Sequence, residues 1–203
     1  MTAMVEIPRE TPRTIDDERD SDFQLLCRDL KLVSAAMPDG YRVEIVGGSI
    51  VMSPWSKGQY NDILDSLLDQ LSPHVPPGHR ARTTPNLYTF PQFDDAFGPD
   101  LHVSDKAATR VDSIFLPGSA LSLVAEQTST STRHRDLGEK ADVYGKAEVP
   151  VYVLIDMLQG TVTVFDDPTP DLGYRRHAQI KFGETVRIPS PFDCELDTAD
   201  WQA

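Results

Sequence analysis

Cysteine, long apolar runs and basic residues are all scarce in this chain of 203 residues. The two cysteines, Cys27 and Cys194, lie far apart and have no metal-ligand spacing, so the sequence offers neither a disulfide scaffold nor a cysteine-based zinc site. They are expected to be free thiols in a reducing compartment, which predicts a cytoplasmic protein. No apolar run approaches the roughly 20 residues of a membrane span, and the first residues lack the pattern of a secretory signal.

The shortage of basic residues bears on nucleic-acid binding. The chain has 19 Lys and Arg against 32 Asp and Glu, a formal net charge of −13. Because non-specific affinity for DNA comes mainly from Lys and Arg that neutralise phosphates, this balance argues against tight binding along a duplex. Two groups are candidates for a basic strip: Arg80 with Arg82, and Arg133 with His134 and Arg135.

The remaining composition is typical of one globular domain. Hydrophobic residues make up 39% and charged residues 25% of the chain, and its length allows a substantial core. Residues 1–20 are polar, charged and contain proline, which predicts a flexible leader. A single domain is expected over residues 21–203, since neither an internal repeat nor a linker interrupts it.

The apolar spacing predicts an α/β fold with an N-terminal helix and a β-hairpin. The predicted elements of the first part are a helix over 23–36, a hairpin over 41–52 that turns at Gly47 and Gly48, and an amphipathic helix that opens at Ser56 or Lys57 and runs to Leu71. Further strands are predicted near 80–82, 87–90, 101–103 and 121–127. A helix over 133–147 joins the last of these to an apolar strand over 151–155, a crossover pattern that predicts a parallel pair in a mixed sheet. That strand is expected to form a hairpin with 161–165, and a last strand pair is predicted over 174–177 and 185–188.

Two carboxylates fall at the ends of predicted strands. Asp100 follows Gly98 and Pro99, and Glu126 closes a run that is otherwise suited to a buried strand. An ionised carboxylate in that position needs a partner, which a metal ion or a basic side chain would supply. Taken alone, Asp100 is also typical of a turn or capping residue, and Glu126 of a structural ion pair.

The segment after Glu126 adds hydroxyl groups and a lysine. Residues 128–132 are all Ser and Thr, which predicts a polar loop and an N-cap for the next helix, although Ser129 could instead orient a carboxylate or a phosphate. Asp136, Lys140 and Tyr144 follow at helical spacing, so they share one helix face. Their simplest interpretation is a surface acid–lysine pair. If the helix packs on the sheet, however, Lys140 can reach Glu126, and two carboxylates with a lysine are enough to hold a divalent cation and stabilise charge during phosphodiester cleavage.

Taken together, these residues resemble the Uma-type restriction endonuclease family, a branch of the PD-(D/E)xK nuclease superfamily. The resemblance extends over about residues 41–190. It is carried by the ordered set Glu44, Gly48, Ser53, Pro54, Pro99, Asp100, Glu126, Ser129, Thr132, Asp136, Lys140, Tyr144, Val149, Pro150 and Asp156.

The resemblance implies a restriction-endonuclease-like core, in which a mixed central sheet is flanked by helices. It implies a DNA endonuclease with Asp100, Glu126 and Lys140 as catalytic residues. Asp100 and Glu126 would bind Mg²⁺ or Mn²⁺. Thr128 occupies the usual place of the superfamily lysine, which makes Lys140 the candidate. Glu44, Ser129, Asp136 and Tyr144 would be accessory residues.

An alternative function stays open at this point. Family members often carry a histidine at the start of the second helix, where this chain has Tyr60 and Asn61. A nuclease-like core can also persist in a protein that has lost catalysis and serves as a binding or oligomerisation module. The resemblance further allows a homodimer, since restriction enzymes that cut both strands commonly pair two sites.

Overall fold

The structure, a computed structural model, describes residues 15–54 and 58–203. The helices are α1 (Ile15–Ala36), α2 (Asn61–Leu71), α3 (Arg133–Arg135), a π-helical turn (Asp136–Lys140) and α4 (Ala141–Lys146). The strands are β1 (Tyr41–Val46), β2 (Ser49–Pro54), β3 (His79–Arg82), β4 (Leu87–Phe90), β5 (Asp95–Phe97), β6 (Leu101–Asp105), β7 (Phe115–Pro117), β8 (Leu121–Thr128), β9 (Val151–Asp156), β10 (Thr161–Thr169), β11 (Gly173–Lys181), β12 (Thr185–Ile188) and β13 (Cys194–Asp197). Short 3₁₀ turns cover Gly58–Tyr60, Ser72–His74, Pro91–Phe93 and Gly118–Ala120.

The larger sheet has six strands in the order β11-β10-β9-β8-β6-β3. Its one parallel pair within the described residues is β8 with β9, joined by the helical segment 133–146, and the other pairs are antiparallel. The predicted crossover unit and mixed sheet are therefore confirmed. Every residue of β8 and β9 is buried, which explains why β9 is almost continuously apolar in sequence and why β8 begins with an apolar run that only Ser122 interrupts.

The smaller sheet has five strands in the order β2-β1-β5-β4-β7 and begins with the predicted hairpin. Gly47 and Gly48 turn the chain with φ of +56° and +67°, values that favour glycine. The Asp95 carboxylate accepts a hydrogen bond from the Gly47 N–H at 2.6 Å, which ties the turn to β5. This contact and the pairing of Ile45 with Ala96 bring β1 next to the segment that leads into Asp100.

The helices cover these sheets with apolar faces. Phe23 and Leu30 of α1 pack against β1 and β5, and the buried leucines of α2 pack on β6 and β8. The segment 133–146 lies over the other side of β8 and β9, where Tyr144 contacts a cluster of aromatic rings that includes Phe90, Phe97 and Tyr152. None of the helices in the described ranges has both the length and the apolar character that crossing a bilayer requires.

Several boundaries differ from the sequence predictions. Helix α1 begins at Ile15 rather than residue 23, so part of the predicted leader is helical. Residues 1–14 of the leader lie outside the described residues, as do Ser56 and Lys57; α2 itself begins at Asn61.

The prediction of the last strand pair was wrong. Residues 174–177 belong to β11, which pairs with β10, whereas residues 185–188 form β12 and pair with β13. Local alternation in sequence marks each strand but does not specify its partner. The short strands β5 and β7, three residues each, were not predicted.

Close packing of α4 gives a sharp test of the fold. A Cβ added to Gly145 would lie 2.6 Å from the Tyr174 backbone nitrogen and 2.8 Å from Gly173 Cα, so Gly145→Ala must displace β11. We expect this substitution to lower the free energy of unfolding by about 1–3 kcal/mol, measured by urea denaturation.

Gly138, in the adjacent π-helical turn, is the matched control because no atom of residues 15–54 or 58–203 lies within 4 Å of its added Cβ, apart from its chain neighbours and the backbone of its own helix. Gly138→Ala should leave stability unchanged or raise it by up to about 1 kcal/mol, since alanine reduces the entropy of the unfolded chain. Equal destabilisation by both substitutions would contradict the packing of α4 against β11.

Candidate active site

A buried lysine lies at the centre of a cluster of carboxylates. The Lys140 Nζ is 2.9 Å from Glu126 Oε1, 3.1 Å from Glu44 Oε1 and 3.5 Å from Asp136 Oδ1. The side chain of Lys140 is only 4% exposed, so these contacts replace its water. Burial lowers the pKa of Lys140, but the three carboxylates outweigh burial and raise it, which keeps the ammonium charged.

The carboxylates of this cluster have unequal environments. Burial and the neighbouring acids raise the pKa of Glu126 to about 8, although Lys140 acts in the opposite direction. Burial likewise raises the pKa of Asp136. The pKa of Glu44 is lowered, because Lys140, Arg42 and the Gly98 N–H, which donates to Oε1 at 2.8 Å, together outweigh its burial. Burial and the neighbouring acids therefore oppose ionisation of Glu126 and Asp136, whereas the ionised form of Glu44 is favoured.

Asp100 belongs to the same cleft and is held by two different donors. Arg42 Nη2 donates to Asp100 Oδ1 at 2.7 Å, and the backbone N–H of Gln127 donates to Oδ2 at 2.8 Å. Arg42 Nη1 also donates to the Gly98 carbonyl. The carboxylate of Asp100 is thereby fixed beside the residue that follows Glu126.

Sheet geometry explains why the two acids meet. Asp100 immediately precedes β6, Glu126 is near the end of β8, and these strands are antiparallel neighbours with Leu101 opposite Ala125. The start of one strand therefore adjoins the end of the other. The expectation that Asp100 lies at a strand end is confirmed.

The helical segment 133–146, which follows β8, supplies Lys140 to the cleft. Asp136 and Lys140 bound the π-helical turn, an irregularity that is frequent at functional sites. Tyr144, one turn further on, donates its hydroxyl to Glu126 Oε1 at 3.1 Å. The predicted shared face of these three residues is thus observed, and it is buried rather than a surface acid–lysine pair.

A cleft of about 390 Å³ opens onto this cluster. Its lining includes Arg42, Glu44, Asp100, Glu126, Gln127, Asp136, Lys140 and the hydroxyl residues 129–132. Ser129 lies at the rim, where its Oγ is 3.0 Å from Ser131 Oγ and its N–H donates to Thr132 Oγ1. Thr132, which precedes α3, makes no side-chain cap hydrogen bond, so the expected N-cap is absent.

Sequence reasoning missed Arg42, which lines the cleft and contacts Asp100. The signal was present in the alternation of β1, because Arg42 and Glu44 are two residues apart and therefore share a face of the strand. Gln127 was also missed, since its contribution comes from its backbone N–H.

The basic groups proposed from sequence do not line this cleft. Arg80 and Arg82 are exposed on β3, at the edge of the larger sheet. Arg133 instead donates to Asp156 Oδ2 at 2.7 Å, and Arg135 donates to Ser53 Oγ at 3.2 Å. Thr128, which the resemblance places at the position of the superfamily lysine, is buried, and its Oγ1 has no hydrogen-bond partner among the described residues.

Comparison with known proteins assigns the chain to a family. The chain matches the family model Uma2, described as "putative restriction endonuclease", over residues 21–199. Comparison with curated proteins gave no match. Among solved structures, the fold is similar to that of a putative nuclease belonging to DUF820 from Anabaena variabilis, with a TM-score of 0.62 and 19% sequence identity over 82% of this chain and 93% of that one. The restriction-endonuclease-like fold class is therefore confirmed, and the chain belongs to the Uma2 family of putative restriction endonucleases.

Proposed function

We propose that this protein is a metal-dependent endonuclease that hydrolyses phosphodiester bonds in DNA. The observation that carries the proposal is the convergence of Asp100, Glu126 and Lys140 on one cleft, with Lys140 Nζ 2.9 Å from Glu126 Oε1. Membership of the Uma2 family supports nuclease chemistry and a DNA substrate.

The charges of the cleft suit a divalent cation. Four carboxylates, those of Glu44, Asp100, Glu126 and Asp136, line it together with two basic side chains, those of Arg42 and Lys140. Full ionisation of these carboxylates would exceed the basic charge by two, and a divalent cation would offset that excess and favour the ionised forms of Glu126 and Asp136, whose pKa values burial raises.

The donor set suits Mg²⁺ or Mn²⁺ bound by Asp100 and Glu126. Among the residues that the structure describes, no group of three or more His, Cys, Asp or Glu has the arrangement of a preformed metal site. Mg²⁺ is commonly held by one or two carboxylates, with water and substrate phosphate completing its shell, so a two-carboxylate site is sufficient. Such a cation supplies Lewis-acid polarisation of the phosphodiester and lowers the pKa of bound water.

Two basic residues of the cleft, Lys140 and Arg42, interact with the phosphate group of the substrate. Lys140 is kept protonated by its carboxylate neighbours, so it contributes a fixed positive charge that stabilises negative charge developing on the phosphoryl oxygens. Arg42 presents a planar guanidinium at the same cleft, a group suited to binding phosphate oxygens. Tyr144, Glu44 and Asp136 hold Glu126 and Lys140 in position, and Ser129 offers a hydroxyl at the rim.

The proposal is tested by incubating the protein with supercoiled plasmid and with single-stranded DNA in Mg²⁺, Mn²⁺ or EDTA. We expect cleavage that requires the metal and that falls by about 1,000-fold in Glu126→Gln, because several kcal/mol of transition-state stabilisation depend on a metal-binding carboxylate.

Glu139→Gln is the matched control, since Glu139 is an exposed acid next to Lys140 in the sequence and does not line the cleft. It should cleave like the wild type. Cleavage in EDTA, or equal activity of both variants, would contradict the proposal. Absence of cleavage under all conditions would favour the binding or oligomerisation module. Light scattering of the same samples tests the homodimer that the resemblance allows.

A further inference from the structure

A second cavity adjoins the active-site cleft and is larger, about 670 Å³. Arg42 and Asp100, which form an ion pair, line both spaces, so the two share part of their walls. The walls of the second cavity come from α1, β1, α2 and the segments 83–87 and 98–100. The roles assigned above to the active site do not account for this space.

The lining combines an aromatic ring, apolar side chains and amides. Tyr41, at the start of β1, is 44% exposed although it lines the cavity. Leu30 and Leu64 contribute buried apolar surface from the two helices. Asn61 and Asn86 contribute side-chain amides, which can both donate and accept hydrogen bonds.

Asn86 is held in place by a contact with a buried histidine. Its Nδ2 lies 3.3 Å from Nε2 of His102, a residue with no solvent exposure. Burial and the nearby charge of Arg82 lower the pKa of His102 to about 4, so its ring is neutral at neutral pH. The amide of Asn86 is thus anchored at the wall of the cavity.

The charges of the lining distinguish between ligand classes. Among the described residues that line this cavity, Arg42 is the one basic side chain, and it is accompanied by the carboxylates of Asp65 and Asp100. A phosphate group would be repelled by this balance. A neutral, planar group with apolar faces and hydrogen-bonding edges fits the aromatic ring and the amides, and a nucleobase has these properties.

We propose that the second cavity binds one unpaired nucleobase of a single-stranded DNA segment whose adjoining phosphodiester lies in the active-site cleft. This inference rests on the proposed function. A base that is stacked and paired within a duplex cannot enter such a cavity, whereas the bases of a single strand can. Base contacts also supply affinity that a chain with a net charge of −13 does not obtain by neutralising phosphates.

The test is fluorescence anisotropy in EDTA, where metal-dependent hydrolysis is stopped, with three labelled ligands of equal length. These are an oligothymidylate, the corresponding abasic phosphodiester strand and a duplex. We expect the oligothymidylate to bind about 5-fold to 150-fold more tightly than the abasic strand, the range that stacking of one base contributes. Equal affinity for the abasic strand or the duplex, or absence of binding to all three ligands, would overturn the proposal.

Substitution of Tyr41 locates the binding site. Tyr41→Ala should weaken oligothymidylate binding about 5-fold or more and leave abasic-strand binding unchanged, whereas Tyr41→Phe, which keeps the ring, should bind like the wild type. Met52→Ala is the matched control, because Met52 lies on the same hairpin with 49% exposure and does not line the cavity. Circular dichroism establishes that each variant is folded.

The two proposals fail in different ways. If metal-dependent cleavage is observed but Tyr41→Ala binds the oligothymidylate normally, the nucleobase site is wrong and the endonuclease proposal stands. If Tyr41→Ala selectively loses binding but no cleavage occurs in any metal, the nucleobase site stands and the endonuclease proposal is wrong.

Discussion

Replacing Lys140 with methionine should lower the free energy of unfolding by about 3–5 kcal/mol, the cost of removing one partner from a buried charge cluster. Lys140 faces Glu44, Glu126 and Asp136, all of them buried, and methionine leaves their charges without this counter-ion. The side chains have similar length, so the loss reflects charge rather than a cavity. Urea denaturation of wild type and variant in EDTA measures the difference.

Lys146 is the internal control for this measurement. It lies in the same helical segment and also pairs with an acid four residues earlier, Asp142, at 2.8 Å, but both side chains are substantially exposed. Lys146→Met should therefore cost less than about 0.5 kcal/mol. A similar small cost for Lys140→Met would show that its charge is not needed to hold the carboxylates together.

A second substitution tests whether uncompensated negative charge causes the destabilisation expected of Lys140→Met. Glu126→Gln in the Lys140→Met background removes a carboxyl group whose pKa is raised to about 8 even beside the lysine, so that in the single variant it is either an uncompensated charge or protonated at a cost in stability. We expect the double variant to be more stable than Lys140→Met alone, because the uncompensated negative charge is smaller. Additive destabilisation by the two substitutions would contradict a direct interaction between these residues.

Asp100→Asn should weaken Mn²⁺ binding by more than about 100-fold, since loss of a residue that merely supports a metal ligand already costs 10- to 100-fold. The substitution preserves the size of the side chain and removes the charge that a hard cation requires. Isothermal titration calorimetry of Mn²⁺ into wild type and variant measures the change. Asp69→Asn, an exposed acid on α2, should bind Mn²⁺ like the wild type.

Arg42→Met tests whether Asp100 binds the metal itself or only supports the shape of the cleft through its contact with Arg42. The test is possible because Asp100 is hydrogen-bonded to Arg42. If Asp100 binds the metal directly, removal of the adjacent guanidinium should maintain or strengthen Mn²⁺ binding, since a positive charge beside the site repels the cation. The same variant should lose cleavage, because the phosphate loses a basic partner. Equal loss of Mn²⁺ binding in Asp100→Asn and Arg42→Met would instead indicate that both act through the shape of the cleft, and unchanged binding in both would place the metal elsewhere.

Much of the architecture was predictable because its signals are local. Two glycines at the turn of the first hairpin, the apolar strand over 151–155 and the helical spacing over 133–147 each identify an element within a few residues. The crossover order then specified the parallel pairing of β8 with β9, because a strand–helix–strand unit has few other arrangements. Strand pairing without such a constraint was not predictable, which is why residues 174–177 and 185–188 were joined incorrectly.

In the candidate site too, contacts within one local unit were predictable from sequence and contacts between distant elements were not. Glu126 and Lys140 lie within one crossover unit, so their helical and strand positions already indicated that the lysine could reach back to the carboxylate. Arg42 and Asp100 are 58 residues apart, and their contact depends on the pairing of β1 with β5, the strand that leads into Asp100. No local pattern identifies that contact.

The sequence by itself determined which chemical groups are present: the ordered acids and lysine, the shortage of basic residues and the local elements that carry them. Tertiary structure alone decided that Lys140 is buried among three carboxylates rather than exposed on a helix surface, and that Arg42 joins the cleft while Arg80 and Arg82 do not. The physical reason is that helical and strand periodicity specify the face on which a side chain lies. Burial and ionic partners depend instead on which distant elements pack against that face.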